Sequence, residues 1–274
     1  MIKKFIYNKV KGYLLNRRSK HASKKRILTY NDSIGLHILV DGFYENAEIT
    51  LISKYLNNKI KDGIFIDVGA NIGNHSLFFS EFFKEVCSFE PQKKIFKILE
   101  LNSSEIDNIN IYNFGLGEKS ETLTFKIPFS APAMASQFIT SKDTYIEEVE
   151  IKNFDNEFID KKISMVKIDT EGNELSVVKG MKNSLIENKP VLCIEINQEI
   201  NKRKSLLSFI KSLGYTKFYV SEKYTFPYNV SGLHYLFGYP SKLKEITPEN
   251  ILNVKNNFSL VVAVNENSSY NFTI

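Results

Sequence analysis

The apolar residues of the chain follow two rhythms in turn. Apolar-rich runs, "GIFIDV", "EVCSFEP", "INIYNFGLG", "ISMVKIDTEG" and "PVLCIEIN", predict strands. Between them "NHSLFFSEFFK", "KKIFKILELNSSE", "ELSVVKGMKNSLIEN" and "RKSLLSFIKSLG" place apolar residues at helical spacing and predict helices. "TKFYVS" and "NFSLVVAVN" read as two late strands, and "ETLTFKIP" and "EEVEIKNF" as strands outside the main alternation. Strands alternating with helices imply right-handed crossovers and a mostly parallel sheet with helices on both faces. Runs that stay apolar through both side-chain faces fit strands buried on both sides.

Upstream, the pattern predicts a strand ("IGLHILV"), a turn at Asp41-Gly42 and a helix ("ENAEITLISKYLNN"). Ile2, Phe5, Ile6, Val10, Tyr13 and Leu14 share one face of a further helix at the very start. The expected division is therefore a basic amphipathic segment over 1–26, a lead-in over 27–62, and a main domain over 63–274. Residues 222–256 lack periodicity and read as an insertion between the last two strands.

With 274 residues, 43 % of them hydrophobic and 24 % charged, the chain can bury a core without disulfides. Cys87 and Cys193 each sit in a strand-like run, so buried free thiols are expected, which suits a reducing cytoplasm. His21, His37, His75 and His234 show no metal-ligand spacing. No apolar stretch reaches the ~18 residues of a membrane span. The basic start lacks the apolar core and cleavage site of a secretory signal.

Charge changes the picture more. The first 26 residues hold ten Lys/Arg and no acid; removing those ten from the 36 basic residues leaves 26 against 31 acids. A mildly acidic body argues against a nucleic-acid cleft. The basic head suggests peripheral contact with the inner face of a membrane, or with a partner; a helix packed on its own domain with a solvated basic face is the alternative.

Ligands of open α/β sheets bind outside the carboxyl ends of the strands. The first strand ends in D-x-G-x-N-x-G: Asp67, Gly69, Asn71 and Gly73, followed by Asn74 and His75. A dinucleotide fingerprint reads G-x-G-x-x-G instead. An acid before the first glycine repels a pyrophosphate and helps to hold a cation; glycines that merely turn the chain are the structural alternative. Glu90, 23 residues after Asp67, lies near the ~20-residue offset of an acid that takes ribose hydroxyls, and Pro91 ends its strand. Asn113 or Phe114 would face an adenine. Asp169, Glu171 and Glu174 cluster after the fourth strand, and Glu195 and Asn197 end the fifth. Helix capping explains Glu174 well and Asp169 poorly. S-adenosylmethionine, a nucleoside with a sulfonium and no phosphate, fits this set.

On these residues the chain resembles the FkbM-type methyltransferases, within the class I S-adenosylmethionine-dependent methyltransferases. The matching segments are "FIDVGANIGNHSLFFS", "VCSFEPQKKIFKILELN", "IYNFGLGEK", "VKIDTEGNELSVVKGM" and "PVLCIEIN", with "DGFYENAEITLI" as a lead-in. The resemblance implies an α/β, Rossmann-like class I methyltransferase fold with a late antiparallel strand. It implies a cofactor held by Asp67, Gly69, Asn71, Gly73 and Glu90, and a reaction centre lined by Asp169 and Glu171. Asn74, Pro91, Asn113, Phe114 and Asp169 complete the candidate cofactor set. An oxygen nucleophile benefits from a base, for which Asp169 comes first, Glu171 second and His75 third. A divalent metal on Asp169, Glu195 and Asn197 is the less favoured route.

The expected activity is O-methylation of a hydroxyl on a sugar, glycan or other small metabolite. A non-catalytic nucleotide-binding scaffold with a membrane-docking head is the second reading. A nucleic-acid methyltransferase is a distant third, since "DTEG" stands where an N/D-P-P-Y-like loop would.

Overall fold

The computed structural model describes residues 38, 42–128, 144–158, 161–196, 199–221, 242–253, 260–270 and 272. The basic head, His21, His37, His234, Asn197 and residues 222–241 of the expected insertion lie outside the described residues. So does the expected strand over 34–40 except Ile38. Ile38 is helical, not extended: its carbonyl accepts from Gly42 N at 2.9 Å, a helical-turn bond.

The apolar runs form β1 (Ile64–Val68), β2 (Glu85–Phe89), β3 (Ile109–Tyr112), β7 (Ile163–Ile168), β8 (Val191–Ile194), β9 (Tyr215–Ser221), β10 (Leu243–Glu245) and β11 (Val261–Asn265). They make one sheet in the order β10-β9-β11-β8-β7-β1-β2-β3. The pairs β1–β2, β2–β3, β1–β7 and β7–β8 are parallel. β11 runs antiparallel between β8 and β9, the expected late antiparallel strand. Strand order reverses at β1, which puts the ligand crevice at the carboxyl ends of β1 and its neighbours. The fold is thus α/β and Rossmann-like, as expected.

Side chains alternate across β1. Ile64, Ile66 and Val68 join one core and Phe65 the opposite one, so both faces are dry. Register then sets Ser88, Asp67 and Lys167 side by side.

"ETLTFKIP" and "EEVEIKNF" form β5 (Glu121–Pro128) and β6 (Thr144–Lys152). With β4 (Gly115–Leu116) they make a separate three-stranded sheet. "INIYNFGLG" is therefore not one strand. Asn113 Nδ2 donates to the carbonyls of Glu90 and Pro91, at 2.9 and 3.2 Å, and turns the chain out of the main sheet.

Most of the helices are shorter than the periodicity suggests. The lead-in holds α1 (Asn46–Ser53) and α2 (Asn58–Lys61), where Asn57 Oδ1 caps the second helix at Ile60 N. α3 (Asn74–Phe79) stops early because Asn108 Nδ2 engages the carbonyls of Ser80 and Phe83. α4 (Lys93–Ser103) and α5 (Phe154–Glu157) follow. "ELSVVKGMKNSLIEN" breaks at Met181 into α6 (Glu174–Gly180) and α7 (Lys182–Asn188). α8 (Ile200–Ser212) precedes β9, and α9 (Pro248–Asn253) is tied to it by Arg203 Nη1 donating to Ile251 O at 2.9 Å. The stretch read as an insertion thus contributes β10 and α9.

Candidate active site

A cavity of about 490 Å³ opens at the carboxyl ends of β1, β2, β7 and β8, within the ~300–1,000 Å³ range of ligand pockets. Its centre is the turn after β1. Gly69 has φ +75°, and a Cβ there would stand 1.9 Å from Asp169 O, so glycine is required. Asn71 also takes the left-handed conformation, φ +53°, which asparagine tolerates. That geometry aims its N–H at Glu90 Oε2, 3.0 Å away, while Gln92 N donates to Glu90 Oε1 at 2.8 Å. Each carboxylate oxygen thus holds one backbone N–H and keeps acceptor capacity for one more donor. Burial pushes the Glu90 carboxyl up to about 7, against the two N–H bonds and Lys167, which favour its charge.

Beneath the turn lies a buried polar chain. Ser88 Oγ lies 2.8 Å from Ser76 Oγ, which donates to Asp67 Oδ2 at 2.6 Å. Lys167 is 3 % exposed; its Nζ donates to Gly69 O at 3.2 Å and stands 3.6 Å from Asp67 Oδ1 and 3.3 Å from Asp169 Oδ2. Burial works against its charge, but the carboxylates of Asp169 and Asp67 outweigh it and hold the ammonium above the usual lysine range. Burial also opposes the charge on Asp169, and the Lys167 ammonium with the hydrogen bond from Glu195 overcomes it, keeping that carboxyl low. Glu195 is driven the other way, by burial and then by Asp169, so it carries the proton of the pair.

Glu171 stands exposed at the rim with φ +51°. Partial burial and the charges of Asp169 and Glu174 push its carboxyl up to about 7, with water at the rim screening part of that repulsion. Glu174 holds the loop: its Oε1 accepts from Thr170 N, Thr170 Oγ1 and Gly172 N at 3.2, 3.2 and 2.8 Å. Tyr44 reaches the cavity from the lead-in, its phenol raised to about 12 by burial and by Glu45, Asp169 and Glu195.

Of the residues picked from sequence, Gly69, Asn71, Glu90, Pro91, Asp169 and Glu171 line one cavity, and Glu195 joins them. Six others do not line it. Asp67 sits below the turn. Gly73 packs where a Cβ would meet Leu99 Cδ1 at 2.8 Å. Asn74 binds the backbone of Tyr44. His75 is buried with Nε2 3.5 Å from Glu45 Oε2. Asn113 turns the chain, and Phe114 packs among Phe89, Tyr112 and Phe158. The side chains around the cavity near Pro91 are instead Leu123, Phe125 and Ile151 of the small sheet, with Gly115–Gly117. Lys167 went unread, although a lysine inside an apolar strand, two residues before Asp169, signals a buried charge that needs partners.

No Lys or Arg lines the cavity among the described residues. The donor set suits a ligand with hydroxyls and a positive charge, and does not suit a polyphosphate. Among the described residues no group of three His, Cys, Asp or Glu is placed to hold a metal ion.

The model of the methyltransferase FkbM domain matches residues 67–217, so the lead-in that carries Tyr44 precedes the match. The chain is 29 % identical over 163 residues to the hexuronic acid methyltransferase AglP of Haloferax volcanii, covering 57 % of this chain and 65 % of that protein. It is 21 % identical over 176 residues to methyltransferase 1 of Beauveria bassiana, covering 53 % and 70 %. Among solved structures, the methyltransferase FkbM of Methylobacillus flagellatus aligns with a TM-score of 0.46 and 16 % identity, over 95 % of this chain and 60 % of that one.

Proposed function

We propose, from the premise that this chain belongs to the methyltransferase FkbM domain family, that it is an S-adenosylmethionine-dependent O-methyltransferase acting on a hydroxyl of a sugar or glycan. The observation that carries the cofactor is Glu90. Two backbone N–H groups fix its carboxylate at the end of β2, and its remaining acceptor capacity suits a pair of ribose hydroxyls. Leu123, Phe125 and Ile151 offer an apolar wall for the purine. Asp169 and its acidic neighbours suit the cationic end. When bound, the cofactor supplies a methyl group on a positive sulfur.

The chain's own residues position the acceptor oxygen and take its proton. Asp169 is poorly suited as base, since Lys167 and Glu195 hold its carboxylate low. Glu171, raised to about 7 at the rim, is the better candidate. A hydroxyl approaching from the rim would give its proton to the Glu171 carboxylate. Lys167 keeps Asp169 charged and the turn fixed meanwhile. His75 does not line the cavity; its Nε2 stands 3.5 Å from Oε2 of Glu45, which does.

The sugar class of the acceptor takes support from the relative named as a hexuronic acid methyltransferase. The head, residues 1–26, would add docking on an anionic surface, useful for a membrane-linked acceptor; among the described residues no helix is long and apolar enough to cross a membrane. The test is a panel of sugar and glycan acceptors incubated with methyl-labelled cofactor and read by mass spectrometry. Label is expected on a sugar hydroxyl. Label on nucleic acid alone would overturn the acceptor class.

A further inference from the structure

Tyr44 and Glu45 are cavity residues that come from the lead-in, before β1, and something must hold them there. The hydrogen bonds identify it. Asn74 is 5 % exposed and follows Gly73, the last glycine of the turn. Its Oδ1 accepts from Tyr44 N at 2.8 Å, and its Nδ2 donates to Tyr44 O at 3.0 Å, across thirty residues of sequence. One side chain therefore satisfies both backbone polar groups of one residue. His75 Nε2 stands 3.5 Å from Glu45 Oε2 without a hydrogen bond between them, and Glu45 takes the left-handed conformation at φ 54°. Glu45 and Tyr44 then face Asp169 and Glu195 across the cavity.

We infer that Asn74 is a positioning residue: by clamping Tyr44 to the start of α3 it couples the glycine turn that receives the cofactor to the wall that faces the acceptor. The inference rests on the proposed cofactor. Asn74 itself does not line the cavity. No flexible spacer separates Gly73 from Asn74, so ordering of the turn on binding passes directly to Tyr44 and Glu45. A residue that merely stabilised the fold would give no ligand dependence at this wall.

Amide hydrogen exchange of the full chain, with and without S-adenosylhomocysteine, tests the coupling in the wild type, Asn74→Ala and Asn74→Asp. In the wild type the ligand is expected to slow exchange at 43–49 as well as at 69–74. In Asn74→Ala, ligand-free exchange at 43–49 should rise about tenfold. Exchange over 64–68 should stay unchanged, and the ligand should slow 69–74 alone. Asn74→Asp keeps the acceptor for Tyr44 N and should recover part of the protection. Unchanged exchange at 43–49 in Asn74→Ala would overturn the clamp, and ligand protection persisting there would overturn the coupling. If 64–68 also exchanges faster in Asn74→Ala, the fold has loosened and the Asp variant decides. A wild type in which the ligand protects neither segment would overturn the cofactor reading and the coupling together, while the ligand-free comparison still judges the clamp.

Discussion

Two glutamates with similar titration do different work. Glu90 and Glu171 are both raised to about 7, the first by deep burial and the second by partial burial with neighbouring carboxylates. Glu90 is an anchor. Glu90→Ala removes the partner of Asn71 N and Gln92 N and any bonds to the ribose. S-adenosylhomocysteine affinity should fall at least about tenfold, and the melting temperature should fall too, because orphaned buried N–H groups cost roughly 1–3 kcal/mol each. Calorimetry and thermal melts check both. Glu171 is the proposed base, active as the carboxylate. At saturating cofactor, kcat should therefore rise with pH through about 7 and decline below it. Glu171→Gln should lower kcat about 10²–10⁴-fold and remove that acid limb, with cofactor affinity little changed. Asp169→Asn differs in kind: it strips Lys167 of its nearer carboxylate, so affinity and kcat should fall together. A kcat loss in Asp169→Asn with unchanged affinity and an intact acid limb would return the base role to Asp169.

Elements meet this site at tight contacts. α6 approaches the loop after β4 so closely that a Cβ on Gly180 would stand 1.9 Å from Gly117 O. Gly180→Ala should force the two apart, costing about 1–3 kcal/mol and lowering the melting temperature by roughly 3–10 °C. Since Gly117 and Ser176 both line the cavity, cofactor affinity should weaken in parallel, which a titration of the variant checks. Strand ends were legible in the sequence because they are local: an apolar run, then an acid or a glycine. Gly69, Asn71, Glu90, Asp169 and Glu171, which line the cavity, were legible that way. Leu123, Phe125, Ile151 and Tyr44 were not, because they arrive by tertiary packing from elements outside the strand–helix alternation. Asn113 and Phe114 do not line the cavity, for a related reason. Both follow β3, but Asn113 turns back to bond the carbonyls of Glu90 and Pro91, and Phe114 fills an aromatic cluster.

At the scale of the molecule, one sheet edge gathers the chemistry and the charge is divided. The cavity is acidic with Lys167 buried beneath it, whereas the first 26 residues carry ten basic residues and no acid. Deleting 1–26 should leave cofactor binding unchanged and abolish salt-sensitive binding to anionic vesicles, which a flotation assay at two ionic strengths reads. Loss of cofactor binding on deletion would mean that the head packs on the domain instead. The central claim is the identity of the cofactor, and a calorimetric titration of the full chain with S-adenosylhomocysteine and, separately, with NAD tests it most directly. One equivalent of S-adenosylhomocysteine should bind, with affinity reduced at least about tenfold in Glu90→Ala, and NAD should give no heat. Binding of NAD without binding of S-adenosylhomocysteine would contradict the account.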